Sequence, residues 1–425
     1  MGDALAVLIG DDLAGTLTRL RGGRLRFDYD AGYRAQPLAT PLSLSMPVQV
    51  ASHPDGAVTP WLWGLLPDND AVLARWARTY RVSASSPFAL LATPVGEDCA
   101  GAVRFAAPEA AERLLTREGG VEWLTDLQVE ERLRELRRDS TAWLGRASTG
   151  HFSLAGAQAK TALLHDGGRW GVPSGAAATS HILKPAVAGL DEHDLNEHLC
   201  LDAAGRAGLI VSRTRVERFG DESAIVVSRY DRLAGAGDLL RVHQEDLCQV
   251  LGVHPARKYQ SDGGPGASAV ADLLRRAMPP RVADGAVARF ADALAWNWLI
   301  AGTDAHAKNY SVLLAGDQAR LAPLYDIASA LPYGTDERAL RFAMKLGGDY
   351  RVASYRDTWP GAARDLGMHP DALRDRVRDL AARAPHAFAE AAADPAVAAL
   401  GSDLPTRLTD LVAGRAARCA RLLAG

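Results

Sequence analysis

Cysteine is scarce in this chain of 425 residues. There are four, Cys99, Cys200, Cys248 and Cys419, far apart and with neither a C-x-x-C pair nor a close histidine. That spacing suggests no disulfide framework and no zinc site, and it suits a reduced compartment. Long apolar runs are missing as well, so no segment is expected to span a membrane. The first dozen residues lack the basic start and apolar body of a secretion signal. An excess of one charge is also absent. With 48 Lys and Arg against 51 Asp and Glu the net charge is −3, which gives the chain no electrostatic reason to bind nucleic acid unaided. Any DNA contact is expected to be local or borrowed from a partner. What remains, 48% apolar and 23% charged residues, is the balance of a globular cytoplasmic protein of two or three domains with sizeable cores.

One short stretch carries chemistry. Asp304-Ala305-His306-Ala307-Lys308-Asn309 places an acid and an amide five positions apart, and Asp326 follows seventeen residues later in Leu324-Tyr325-Asp326. In phosphoryl transfer the first Asp accepts or orients the proton of the attacking hydroxyl. The Asn and the second Asp hold Mg²⁺ against nucleotide phosphates. The chemistry asks for these residue types because hard cations prefer carboxylate and amide oxygens, and because charge spreading over the transferring oxygens must be neutralised. Taken singly, Asp304 and Asn309 are equally at home as helix caps or turn formers.

Upstream order decides between these readings. Residues 152–164, Phe-Ser-Leu-Ala-Gly-Ala-Gln-Ala-Lys-Thr-Ala-Leu-Leu, set one Gly and three Ala between apolar flanks, a composition that lets backbone N–H groups approach phosphate oxygens. His181-Ile-Leu-Lys184-Pro185 reads as a short buried strand bearing one lysine, suited to pairing with phosphates. A helix from Asp194 carries Glu197, which either steadies that lysine or faces solvent. Ser223-Ala-Ile-Val-Val-Ser-Arg-Tyr-Asp231 reads as a central strand running into a hinge. Loop, lysine strand, acidic helix, hinge, catalytic loop and metal Asp follow one another as in a kinase, and the joint order is far harder to obtain by accident than any one piece.

With these motifs the sequence resembles the HipA-like serine/threonine kinases, the toxin halves of bacterial toxin–antitoxin pairs. The resemblance rests on Ser153-Leu-Ala-Gly-Ala-Gln, His181-Ile-Leu-Lys-Pro, Val226-Val-Ser-Arg-Tyr-Asp-Arg, His243-Gln-Glu-Asp-Leu-Cys-Gln, Lys258-Tyr-Gln-Ser-Asp-Gly-Gly-Pro-Gly266 and Thr303-Asp-Ala-His-Ala-Lys-Asn. Ahead of them stand Pro41-Leu-Ser-Leu-Ser-Met-Pro47, Leu65-Leu-Pro-Asp68 and Val95-Gly-Glu-Asp-Cys-Ala-Gly101. It implies an α+β, protein kinase-like two-lobed fold, a β-rich N-lobe and a helical C-lobe, preceded by a small β-rich domain. The expected segments are 1–112, 113–245 and 246–425.

By the same resemblance Asp304 is the catalytic base, with Lys184 as the phosphate-binding lysine. Asn309 and Asp326 are the Mg²⁺ ligands, and Ala155, Gly156, Ala157, Gln158, Ala159 and Lys160 cradle ATP. Ser228, Arg229 and Tyr230 form the hinge, where the family more often has Glu and Phe at the first and third positions. His306, Lys308 and Tyr325 complete the nucleotide contacts, His306 in a lesser role. Ser153 is the expected autophosphorylation site. The resemblance also implies a protein substrate such as an aminoacyl-tRNA synthetase, and a HipB-like helix-turn-helix antitoxin through which alone DNA would be met. Two other classes compete with this reading. A small-molecule phosphotransferase normally has a His two residues before the catalytic Asp, where this chain has Gly302. A silent kinase-fold binding module would not need the full catalytic set.

Periodicity supplies the remaining expectations. Short strands fill residues 1–50, and Asp68 caps a helix with Val72, Leu73, Trp76 and Tyr80 on one face. Ser86-Pro87 opens another helix, and residues 107–117 form a linker. Helices are expected near 122–138, 243–251, 268–278 and 286–300 and from 361 onward. Arg415, Arg418 and Arg421 are placed on a solvated helix face.

Overall fold

The structure, a computed structural model, describes residues 2–145, 151–235, 239–334, 336–353 and 358–424. It divides into two compact units that interleave in sequence: residues 1–185, 218–256 and 311–319 make the first, and 186–217, 257–310 and 320–425 the second.

In the first unit, strands β1 (Ala4–Ile9), β2 (Asp12–Arg19), β3 (Leu25–Tyr29), β4 (Ser52–His53) and β5 (Val103–Ala106) form a sheet of order β4-β3-β2-β1-β5. It follows the alternation read from residues 1–50. A second sheet uses β6 (Gly119–Leu124), β7 (Thr161–Asp166), β8 (Arg169–Gly175), β9 (His181–Pro185), β10 (Thr214–Phe219, of which only 218–219 belong to this unit) and β11 (Glu222–Ser228), in the order β10-β11-β9-β7-β8-β6. β7 and β8 turn on Gly167-Gly168, whose φ values of 55° and 77° match the right-handed twist of a two-residue hairpin. One core runs under both sheets. Leu5, Val7, Phe27, Trp61, Phe88 and Phe105 pack in the same apolar cluster as Trp143, Leu163, Leu183 and Val226, with Trp76 edge-on to Trp143 at 6.3 Å.

The second unit is mainly helical. The 21-residue helix Pro280–Ile300 is buried along most of its length, and helix Pro370–Ala392 packs against it and against Leu404–Ala424 and His193–Arg206. Trp296 stacks on Phe388, and Trp298 meets Trp359 edge-on at 5.3 Å. Among the described residues no helix is long and apolar enough to cross a membrane. All four cysteines are buried and outside disulfides, and burial pushes the thiols of Cys99, Cys200 and Cys419 up, the last to about 11.

Five local expectations are corrected. The supposed linker is a helix, Pro108–Leu115, which buries Ala111 and Leu114 against Leu8 and Ala106 of the first sheet. The expected helix from 122 begins as β6, because residues 119–124 pair with β8; the helix starts at Asp126 under a Thr125–Gln128 capping box. His243–Asp246 is a strand paired with Ser311–Leu314, and only Leu247–Val250 turns helical after it. Asn69, not Asp68, caps helix Asp70–Tyr80, while the Asp68 amide donates to the Gly156 carbonyl at 3.0 Å. Arg415 is 0% exposed rather than solvated. Its guanidinium donates twice to the Trp298 carbonyl, at 3.0 and 2.8 Å, and pairs with Glu337.

Strand 243–246 also carries a buried acid. Glu245 accepts from the Leu44 amide at 2.8 Å and the Ser43 hydroxyl at 2.6 Å, and burial pushes its carboxyl up to about 8. Its folded pKa lies above its unfolded one, so its contribution to stability is complete below the ordinary glutamate range and is lost as pH rises through about 8. Glu245→Gln mimics the protonated acid. It is expected to melt above the parent at pH 8.5 and level with it near pH 5, and a difference independent of pH in thermal melts would refute this reading.

Candidate active site

The expected phosphate loop, lysine strand and hinge lie in the first unit. Lys184 sits on β9, a central strand flanked by β11 and β7, and is 7% exposed, so it is not a solvated edge lysine. Ahead of it, residues 154–160 form an irregular loop in which Gly156 takes φ +103°, a conformation suited to glycine. Ala157 is exposed, and Ala155, Gln158 and Ala159 are half-buried. Lys160 folds back, donating to the Ala155 carbonyl at 2.6 Å with its ammonium 4.7 Å from the Trp143 ring centroid. The Nε2 of Gln158 is buried with no hydrogen-bond partner. Ser153 is 0% exposed, and its hydroxyl donates to the Leu65 carbonyl at 2.9 Å.

At the expected hinge, Ser228 ends β11 opposite His181. The Arg229 amide donates to the Ser180 carbonyl and its own carbonyl accepts from Arg232, so the Arg229 main chain is committed within the protein. Its side chain is buried among acids, pairing with Asp231 at 2.7 Å and Asp98 at 3.3 Å. Tyr230 is half-buried and its hydroxyl donates to Gln244.

The residues expected to carry out transfer lie in the second unit. Helix Pro280–Ile300 stops at Ala301, which is left-handed at φ 53°. Gly302 follows because any Cβ there would stand 2.2 Å from the Asn297 side-chain oxygen. The chain then turns through Asp304. The His306 amide donates to the Asp304 carbonyl at 2.8 Å, and the Asn309 Nδ2 donates to that same carbonyl at 2.8 Å. Asp304 is exposed, whereas His306, Lys308 and Asn309 are buried. The Tyr325 hydroxyl donates to the Lys308 carbonyl at 2.7 Å, which brings the segment bearing Asp326 against the residue next to Asn309. Asp326 is left-handed at φ 58°, a strained conformation that Asp tolerates better than most residues and that tends to cluster at functional sites. Glu197 is 1% exposed, so it does not face solvent.

Two positioning residues escaped the sequence reading. Tyr259, in the Lys258–Gly266 motif, donates its hydroxyl to Asp304 Oδ1 at 2.8 Å, and its ring lies edge-on to His306 at 5.0 Å. The glycines of that motif explain its shape: a Cβ at Gly264 would meet the Arg257 carbonyl at 2.2 Å. Asn196, beside Glu197, is fully buried and grips Ser329 at both main-chain groups, accepting from its amide at 3.1 Å and donating to its carbonyl at 2.8 Å. It thereby anchors the chain three residues beyond Asp326. Tyr259 was signalled only by its place in the Lys258–Gly266 motif and Asn196 only by its place beside Glu197; no spacing rule assigns their partners.

The family model for the HipA-like C-terminal domain matches residues 152–388, and that for the HipA N-terminal domain matches 5–106. The chain belongs to the HipA-like family. It is 32% identical over 407 residues to the presumed kinase Y4mE of Sinorhizobium fredii, covering 95% of each chain. It is 28% identical to the serine/threonine-protein kinase toxin HipA of Shewanella oneidensis, covering 87% of this chain and 86% of that one. Among solved structures, the complex of Shewanella oneidensis HipA and HipB with operator DNA matches with TM-score 0.84 at 24% identity, over 99% of this chain and 98% of that one. The motif resemblance and the α+β kinase-like fold expected from it are therefore borne out.

Proposed function

We propose that this HipA-like protein is a serine/threonine protein kinase that uses Mg-ATP, acts in the cytoplasm as the toxin of a toxin–antitoxin pair, and phosphorylates a component of translation such as an aminoacyl-tRNA synthetase. The observation that carries the reading is the second unit's loop. An exposed Asp304 is oriented by Tyr259, Asn309 is pinned to its carbonyl, and the Asp326 segment is held on Lys308.

Asp304 would take or orient the hydroxyl proton through the carboxylate oxygen that Tyr259 leaves open. The site suits a hard cation: with Nδ2 of Asn309 spent on the Asp304 carbonyl, the amide's other polar atom is an oxygen, and Asp326 adds a carboxylate. A Mg²⁺ ion held by these two side chains would supply the positive charge that phosphoryl transfer needs. Lys184 would pair with phosphates. The unpartnered Gln158 Nε2 in the expected phosphate loop is a donor that a phosphate oxygen would satisfy. Incubation with labelled ATP and a cell lysate is expected to mark a protein on Ser or Thr. ATP turnover without a protein acceptor would overturn the reading in favour of a small-molecule kinase, and no turnover at all would favour a silent binding module. A HipB-like antitoxin would be the partner that brings the protein to DNA.

Ser153 would be a second acceptor. Its hydroxyl is sealed against the Leu65 carbonyl and its amide donates to the Asp98 carbonyl at 2.9 Å. A phosphoserine of nearly two negative charges would not fit there and would expel the segment, emptying the ATP cradle. Ser153→Ala is expected to abolish self-labelling and to hold its activity during preincubation with ATP while the parent's declines. Equal decline in both, followed by mass spectrometry and activity assay, would reject self-silencing.

A further inference from the structure

The motif Val95–Gly101 lies within the family's N-terminal domain, outside every segment expected to touch nucleotide. Asp98 in it is buried and collects five hydrogen bonds. Oδ2 accepts from the Thr179 amide at 3.1 Å, the Thr179 hydroxyl at 2.6 Å and Arg229 at 3.3 Å; Oδ1 accepts from Arg232 at 2.8 Å and Arg241 at 3.2 Å. Its main-chain carbonyl accepts the Ser153 amide at 2.9 Å, and neighbouring Cys99 bridges Ser153 in parallel. Asp231 closes the cluster by holding Arg229 and the Gly101 amide.

One residue thus touches three segments. Thr179 leads into the lysine strand, Arg229 and Arg232 form and follow the hinge, and Ser153 begins the phosphate loop. All lie in the first unit. We infer that Asp98 is a positioning residue for nucleotide binding, by which the N-terminal domain sets the spacing of hinge, lysine strand and phosphate loop. The inference rests on the kinase reading above.

The physics favours a rigid node. Burial disfavours both carboxylates, yet the facing arginines outweigh it and hold Asp98 and Asp231 below the usual carboxylate range, so the cluster stays ionised. Three arginines against two aspartates, with side chains at most 7% exposed, leave one positive charge. Removing Asp98 alone would take the carboxylate from Arg241 and leave Arg229 and Arg232 sharing Asp231, which threatens folding. The double variant Asp98→Asn/Arg241→Gln restores the cluster's net charge while loosening Arg229 and Arg232. Thr179→Val removes only the hydroxyl link.

The test is Mg-ATP binding by calorimetry on the full chain, with thermal melts and steady-state kinetics beside it. The parent should bind. The folded double variant should bind ATP about 10-fold to 100-fold more weakly, the loss expected when binding groups shift by about an ångström. KM for ATP should rise more than kcat falls, and Thr179→Val should lie between the two. Folded variants with the parent's affinity would overturn the inference and leave Asp98 a stabilising residue only. A parent that binds no ATP would sink the kinase reading and this inference together.

Discussion

Asp304→Asn should lower phosphoryl transfer by about 10²-fold to 10⁴-fold, the span a positioned general base contributes, while ATP affinity and melting temperature stay near the parent's. The substitution is nearly isosteric. Its side chain can still accept from the Tyr259 hydroxyl, which reaches Asp304 Oδ1 at 2.8 Å, and the main-chain carbonyl that accepts from His306 and Asn309 is untouched. What disappears is the negative charge that would take or orient the hydroxyl proton. Quenched-flow or steady-state assay with labelled ATP, paired with calorimetry, separates the two effects. Retained turnover would remove Asp304 from catalysis, and loss of ATP binding would make it a binding group.

Asp326→Asn should reduce turnover by about 10²-fold or more, the scale of losing one preorganised charge at a transferring phosphoryl group. It should differ from Asp304→Asn in one respect: raising Mg²⁺ should recover part of the activity, because the proposed lesion is in ion affinity. Asn is the informative replacement here. Residue 326 is left-handed at φ 58°, a region Asn visits readily, so the variant changes charge without adding backbone strain. Full activity at low Mg²⁺ would remove the metal role from Asp326. A variant insensitive to added Mg²⁺ would place its effect elsewhere.

Much of the fold was legible. Strands of residues 1–29, β9 and β11 announced themselves by alternation or by a short β-branched run, and helices 267–277 and 280–300 by three-to-four spacing. The errors share a cause. Residues 119–124 and 243–246 could serve a helix by composition, and it was pairing with β8 and with 311–314, distant in sequence, that made them strands. Residues 108–115 are rich in Ala and Glu, but burial of Ala111 and Leu114 made them a helix rather than a linker. Arg415 defeated the amphipathic reading because its stem and guanidinium fill the interior and find the Trp298 carbonyl and Glu337 there.

By itself the sequence determined the kinase-like order of the Gly156 loop, Lys184, residues 228–230, Asp304, Asn309 and Asp326, because the types and spacings that phosphoryl transfer demands are local and survive in one dimension. Only the tertiary structure decided which groups serve them: Tyr259 for Asp304, Asn196 for the chain beyond Asp326, and Asp98 for three segments at once. These partners lie 45, 133 and, from Asp98, up to 143 residues apart. A hydrogen bond across such distances is fixed by how the cores pack, which no spacing rule encodes.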